Sequence, residues 1–251
     1  DEGVFGLINT KSSGSNNQYK PYLTIGSGQK SDVYAECIDA VKINQNTKAR
    51  YNSLTLHPAQ DGEIACIWIN RIKDINKKNS YNAQPGKLAD ILKSNNIRTG
   101  FIGGYLDGGS IKSPAFFICM DSFGLADSGE IDGVFNHGLF DYNSVYDSYL
   151  QIKDTADFIV IELGELESLY SERRLYNSES YNAKKTQILK NCSDLTNRIK
   201  SDMDFDRSML CIISPYSYDT ENKNSDVLCP VIFYDGGKSK GIAYSKTTRR
   251  Q

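Results

Sequence analysis

Oxygen chemistry is the first possibility these residues raise. Thr10, Ser12, Ser13 and Ser15 fall within a polar run, Asn9 to Asn17, that follows the apolar stretch Val4 to Ile8. Each hydroxyl is a candidate nucleophile, and each would need a base or a metal beside it to act. Carboxylates stand at or just beyond the ends of apolar runs at Asp107, Asp121, Glu162, Glu165 and Asp235. Oxygen ligands of that kind suit a hard divalent cation. The same positions fit a plainer reading, because Asp107-Gly108 and Asp235-Gly236 are common turn dipeptides. The two histidines, His57 and His137, are too few for a histidine-rich metal centre. His137, in Asn136-His137-Gly138, is either a ligand or acid or an inert loop residue, and His57 before Pro58 reads as a turn residue. The sequence has no GxSxG nucleophile elbow, no phosphate-binding P-loop and no dinucleotide fingerprint. None of the six cysteines forms a CxxC pair, which argues against a thiolate zinc site. Cys66, Cys119 and Cys211 sit inside apolar runs, where a reduced thiol behaves as a small hydrophobe. Cys37, Cys192 and Cys229 lie at the edges of elements, and the even count leaves one or two disulfides open.

The elements that would position these residues follow from length and pattern. At 251 residues the chain can bury a substantial core. Lys and Arg number 29 against 31 Asp and Glu, a net charge of −2, so no field exists to hold a nucleic-acid backbone. No stretch approaches the ~18 apolar residues of a membrane span. The start at Asp1-Glu2-Gly3, without Met, reads as a trimmed piece.

Ile64, Ile67, Trp68, Ile72 and Ile75 follow three-and-four spacing and predict a helix over Gly62 to Lys77. Pro85 opens a second helix carrying Leu88, Ile91 and Leu92 on one face. Thr99 to Gly104, Ala115 to Met120, Phe158 to Ile161, Met209 to Ile213 and Pro230 to Tyr234 read as buried strands. Asp127 to Asn143 reads as a loop or flap, and Ser180 to Met203 as a long helix. The alternation predicts one α/β domain over residues 1–251, with a single doubly wound, mainly parallel sheet flanked by helices. Its ligand site would lie beyond the carboxyl ends of the strands.

Several stretches, taken in order, resemble bacterial envelope proteins of the alkaline phosphatase-like superfamily. They are Gly6 to Lys11, Tyr22 to Gly28, Pro85 to Leu92, Arg98 to Gly103, Asp157 to Gly164, Ile212 to Pro215 and Ser245 to Arg250. The resemblance implies that superfamily's sheet and a Thr, Ser or Cys nucleophile, which falls around Ser15 to Asn17 here. It also implies a site for two metal ions held by Asp and His. The chain departs from that pattern. Ser214-Pro215 stands where an Asp-His pair belongs, and Glu162, Glu165 and Glu167 follow the earlier strand without a histidine. A first strand with a metal-binding Asp would precede Asp1, and a closing segment would follow Gln251, so the resemblance implies either a domain truncated at both ends or a member that dispenses with those parts.

The expectation is therefore a non-catalytic or degenerate alkaline phosphatase-like domain. It would act as a binding or scaffold module, extracytoplasmic and associated with a bacterial cell envelope, with an envelope component or small molecule as partner. The standard ligand pattern predicts no bound metal. The alternative is a metal-dependent phosphate or sulfate ester hydrolase, or phosphoryl transferase, with an altered site. Its nucleophile would be Thr10, Ser12, Ser13 or Ser15, and its divalent metal would be held by the five carboxylates named above.

Overall fold

The computed structural model describes residues 3–9, 18–215 and 228–237. In chain order the elements are β1 (Val4–Asn9), α1 (Lys20–Ser27), β2 (Val41–Lys42), α2 (Gln45–Thr55), β3 (Ile64–Ala65), α3 (Ile69–Lys78) and α4 (Lys87–Ser94). There follow β4 (Thr99–Asp107), β5 (Ser110–Lys112), β6 (Leu125–Ala126), β7 (Ser128–Glu130), β8 (Phe135–Asn136), β9 (Leu139–Phe140) and α5 (Tyr142–Ile152). The chain continues with β10 (Phe158–Leu163), α6 (Glu165–Ser171), α7 (Ser178–Asp202), β11 (Leu210–Ile213) and β12 (Leu228–Tyr234). These elements form two compact units. One spans Tyr19–Leu195, and the other combines Asp1–Gln18 with Thr196–Gln251.

In the larger unit, β4 is central. It pairs in parallel with β10 on one side and with β7 on the other, and it turns back into β5 through a hairpin. Gly108 and Gly109 make that turn with φ of 56° and 82°, values that a two-residue hairpin requires of both central residues. α5 connects β7 to β10 and buries Val145, Tyr149 and Ile152. The core gathers Leu23, Ile64, Ile69, Ile72, Phe101, Phe116, Phe117 and Met120. Phe101 of β4 meets Phe116 edge to face, with ring centroids 5.3 Å apart.

A polar cluster ties this unit together. The Lys93 ammonium of α4 lies 2.7 Å from Asp121 Oδ2 and 3.0 Å from Asp127 Oδ1. Asp121 Oδ1 accepts from the backbone N–H groups of Phe123 and Leu125, and Asp127 Oδ2 accepts from the Thr99 N–H and hydroxyl. Burial pushes the Lys93 pKa down, but the two carboxylates outweigh it and leave the group above its ordinary value.

The smaller unit contains a three-stranded antiparallel sheet of order β1-β12-β11. Val4, Val231 and Cys229 are buried there, and Lys200 sits 3.9 Å from the centroid of the Tyr234 ring.

This architecture corrects the expectation of a single doubly wound, mainly parallel sheet of alkaline phosphatase-like type. Among the described residues the chain builds several small sheets, mostly antiparallel, and only β10, β4 and β7 run parallel. Two local causes account for the difference. Ala115 to Met120, read as a buried strand, lies mostly in a buried 3₁₀ turn over Pro114–Ile118. A six-residue apolar run does not distinguish a buried strand from a buried helical turn, and Pro114 supplies a φ suited to the turn. The runs at the two ends of the chain, Val4 to Ile8, Met209 to Ile213 and Pro230 to Tyr234, are strands as expected, but they pair with one another in antiparallel register. The helix expected from Gly62 instead begins at Ile69, with Ile64–Ala65 extended before it. The expected flap at Asp127 to Asn143 holds β7 and the β8–β9 hairpin.

Asp121→Ala removes the acceptor for two backbone amides and one partner of Lys93. The substitution is expected to lower unfolding free energy by about 3 kcal/mol in urea denaturation. A loss under about 1 kcal/mol would show that the cluster is not a structural anchor.

Candidate functional site

The carboxyl ends of β4 and β10 carry the densest set of buried polar side chains that the sequence reading singled out. In the parallel register, Glu162 lies opposite Gly103 and Leu163 opposite Gly104. Gly164 follows, and no larger residue fits there. A Cβ would come within 2.6 Å of both the Gly104 carbonyl oxygen and the Tyr105 Cβ. The chain then enters α6 directly. Ser168 of α6 pins that helix to β4, since its hydroxyl donates to the Leu106 carbonyl and accepts from the Leu106 N–H.

Glu162 is 8% exposed, and its Oε2 accepts from the Ala115 N–H at 3.2 Å. Burial raises its pKa well above the ordinary carboxyl range, and the nearby charge of Glu167 adds to the shift, with the Ala115 amide opposing. Burial thus favours the protonated form of Glu162 more than that of an ordinary carboxyl. The Tyr105 and Tyr19 hydroxyls lie 3.1 Å apart, and burial raises the Tyr105 pKa, which keeps the Tyr105 hydroxyl protonated. The buried Ser113 hydroxyl lies against Gly104 and has no hydrogen-bond partner. Glu165, at the start of α6, accepts a 2.7 Å hydrogen bond from the Tyr142 hydroxyl of α5. The arrangement offers hydroxyl groups and a carboxyl whose protonated form is favoured by burial. Binding a divalent cation there would require that carboxyl to ionise against its burial.

The remaining sequence candidates lie elsewhere. Asp107 is exposed at the β4–β5 turn, paired in register with Ser110, as the turn reading anticipates. Asp121 belongs to the Lys93 cluster. Asp235 follows β12 in the smaller unit. Thr10, Ser12, Ser13 and Ser15, and the segment around Ser15 to Asn17, lie outside the described residues. Among the described residues, no group of three or more His, Cys, Asp or Glu side chains is placed to hold a metal ion. His137 occupies the β8–β9 turn with φ of 50°, next to Gly138. No disulfide joins cysteines of the described residues, and burial pushes the Cys37 and Cys66 thiols up to about 11 and about 12, away from thiolate reactivity.

Two features escaped the sequence. Tyr19 and Tyr105 are 86 positions apart, and no local pattern links them. His57, read as a turn residue, stacks its ring on Phe123 at 3.8 Å.

The raised Glu162 pKa has a definite consequence for stability. The unfolded chain releases this proton near pH 4.3, whereas the folded chain keeps it to a higher pH. Between those two values folding is linked to proton uptake, so stability falls as pH rises, by up to about 1.4 kcal/mol per pH unit. Glu162→Gln keeps an oxygen for the Ala115 amide and has no proton to lose. Denaturation from pH 5 to 8 is expected to show the variant gaining on the wild type. A constant difference across that range would contradict the raised pKa.

Comparison of the chain with protein-family models, with curated proteins and with solved structures finds no match.

Proposed function

We propose that this chain is a non-catalytic binding module. The observation that carries the reading is the state of its best-buried candidate ligands. Asp121 directs its oxygens to Lys93 and to two backbone amides. Glu162 is buried, which raises its pKa, and its Oε2 accepts from the Ala115 amide. Glu165 is engaged by the Tyr142 hydroxyl. These carboxyls serve the fold, and a metal would have to displace those contacts and ionise a buried acid. Among the described residues no helix is long and apolar enough to cross a membrane. An envelope setting is supported only by the ordered sequence stretches, which resemble envelope proteins. A module of this kind acts by contact, with its rigid α/β unit presenting a surface.

The test uses the whole chain, purified and then incubated with zinc, manganese or magnesium. The expected result is no stoichiometric metal after dialysis, and no hydrolysis of p-nitrophenyl phosphate or p-nitrophenyl sulfate above the uncatalysed rate. Stoichiometric zinc or manganese with robust turnover would overturn the reading in favour of an ester hydrolase.

A further inference from the structure

Leu56 carries two costs at once. It ends α2 in the left-handed conformation, φ 55° and ψ 25°, where helix ends favour glycine or asparagine. Its side chain is also 91% exposed, so it meets solvent instead of a packing partner. Neighbouring residues extend the apolar surface. Leu54 is 49% exposed and Phe123 is 46% exposed, and the His57 ring stacks on Phe123. The backbone under this surface is held firmly. The Asn70 side chain of α3 donates to the Leu54 carbonyl at 3.0 Å, and the buried Tyr51 hydroxyl donates to the Phe123 carbonyl at 2.6 Å. Two segments therefore present the exposed apolar side chains of this ridge, the end of α2 and the loop at Phe123, with the polar face of α3 against them through Asn70 and Lys73.

Cations border the ridge. The Lys73 ammonium lies 5.9 Å from the centroid of the Phe123 ring. Arg50 precedes Leu54 by one helical turn, and Lys77 follows Lys73 by one turn. Asp74 is the acidic residue on that part of α3, and Lys48 is already neutralised by Asp61 at 3.1 Å. The bias is towards an anionic partner. Shape favours a soft one, since a leucine exposed over nine-tenths of its surface protrudes, and a rigid protein partner would need a matching cavity. A lipid interface receives such a side chain readily, while lysine and arginine at the rim meet phosphate.

We propose that this ridge is a contact site for an anionic bilayer surface. Leu56 and Phe123 enter the boundary between headgroups and acyl chains, and Lys73 and Arg50 face lipid phosphates. The inference rests on the reading of the chain as a binding module and names its partner class. It also accounts for the exposed apolar side chain of Leu56.

Co-sedimentation of the whole chain with vesicles tests it, comparing pure phosphatidylcholine with phosphatidylcholine containing about 30% phosphatidylserine. The expected partition is about tenfold stronger on the anionic vesicles and weakens as salt rises. Leu56→Asn combined with Phe123→Ser is expected to reduce it about tenfold or more. Leu56→Asn alone is expected to raise Tm by about 2 °C by relieving the left-handed leucine, so its loss of binding cannot come from unfolding. Equal partition on both vesicle types, or undiminished partition of the variants, would overturn the proposal. Turnover in the ester assay would overturn the binding-module reading and not the membrane contact. Absence of vesicle binding in a chain without turnover would overturn the membrane contact alone.

Discussion

The larger unit depends on one cation held between two carboxylates. Lys93 projects from α4 to Asp121 and Asp127, and each carboxylate also holds backbone amides of a different segment. Asp121 shapes the loop that delivers Leu125 into β6, and Asp127 fixes the first residue of β4. Removing Lys93 would leave two partly buried carboxylates without their counter-charge, and removing either carboxylate would strip backbone amides of their acceptor, each more costly than losing an exposed pair. The position of β4 then sets everything built on it. β10 and β7 take their register from it, and the Phe101–Phe116 contact seats the 3₁₀ turn over the sheet.

That dependence bears directly on what the carboxyl ends of the strands can do. Parallel strands in an open sheet deliver their ends to a shared edge, where ligands commonly bind. Here the edge is occupied by the protein's own contacts. Gly164 and Ser168 close α6 onto β4, and Glu162 points at the Ala115 amide. The carboxyls of Glu162 and Glu165 there are engaged by the Ala115 amide and the Tyr142 hydroxyl. The outside of the unit differs, since the end of α2 and the Phe123 loop leave exposed apolar side chains beside Lys73.

Much of the element content was legible in the sequence. Phe158 to Ile161 is a strand, and the long helix expected over Ser180 to Met203 is α7, with Ile188, Leu195 and Ile199 buried. These elements carry strong periodicity or an unbroken β-branched run. Sheet architecture was not legible, because strand direction is decided by which segments meet, and the apolar runs of β1, β11 and β12 look alike whichever way they pair. Ala115 to Met120 failed for a related reason, since burial on all sides removes the alternation that would mark a strand. Within the candidate site, Glu162 was legible as a polar residue closing an apolar run. Its raised pKa was not, because that follows from burial by segments distant in sequence and from the charge of Glu167, against the opposing Ala115 amide.

The central claim is that burial raises the Glu162 pKa and that its carboxyl serves the fold. The side-chain carboxyl ¹³C shift of Glu162, followed by NMR across its titration with and without magnesium, tests it most directly. The account predicts a midpoint clearly above the ordinary carboxyl value that ignores the cation. A titration completed near pH 4.3, the ordinary carboxyl value, or a shift that moves on adding magnesium, would contradict it.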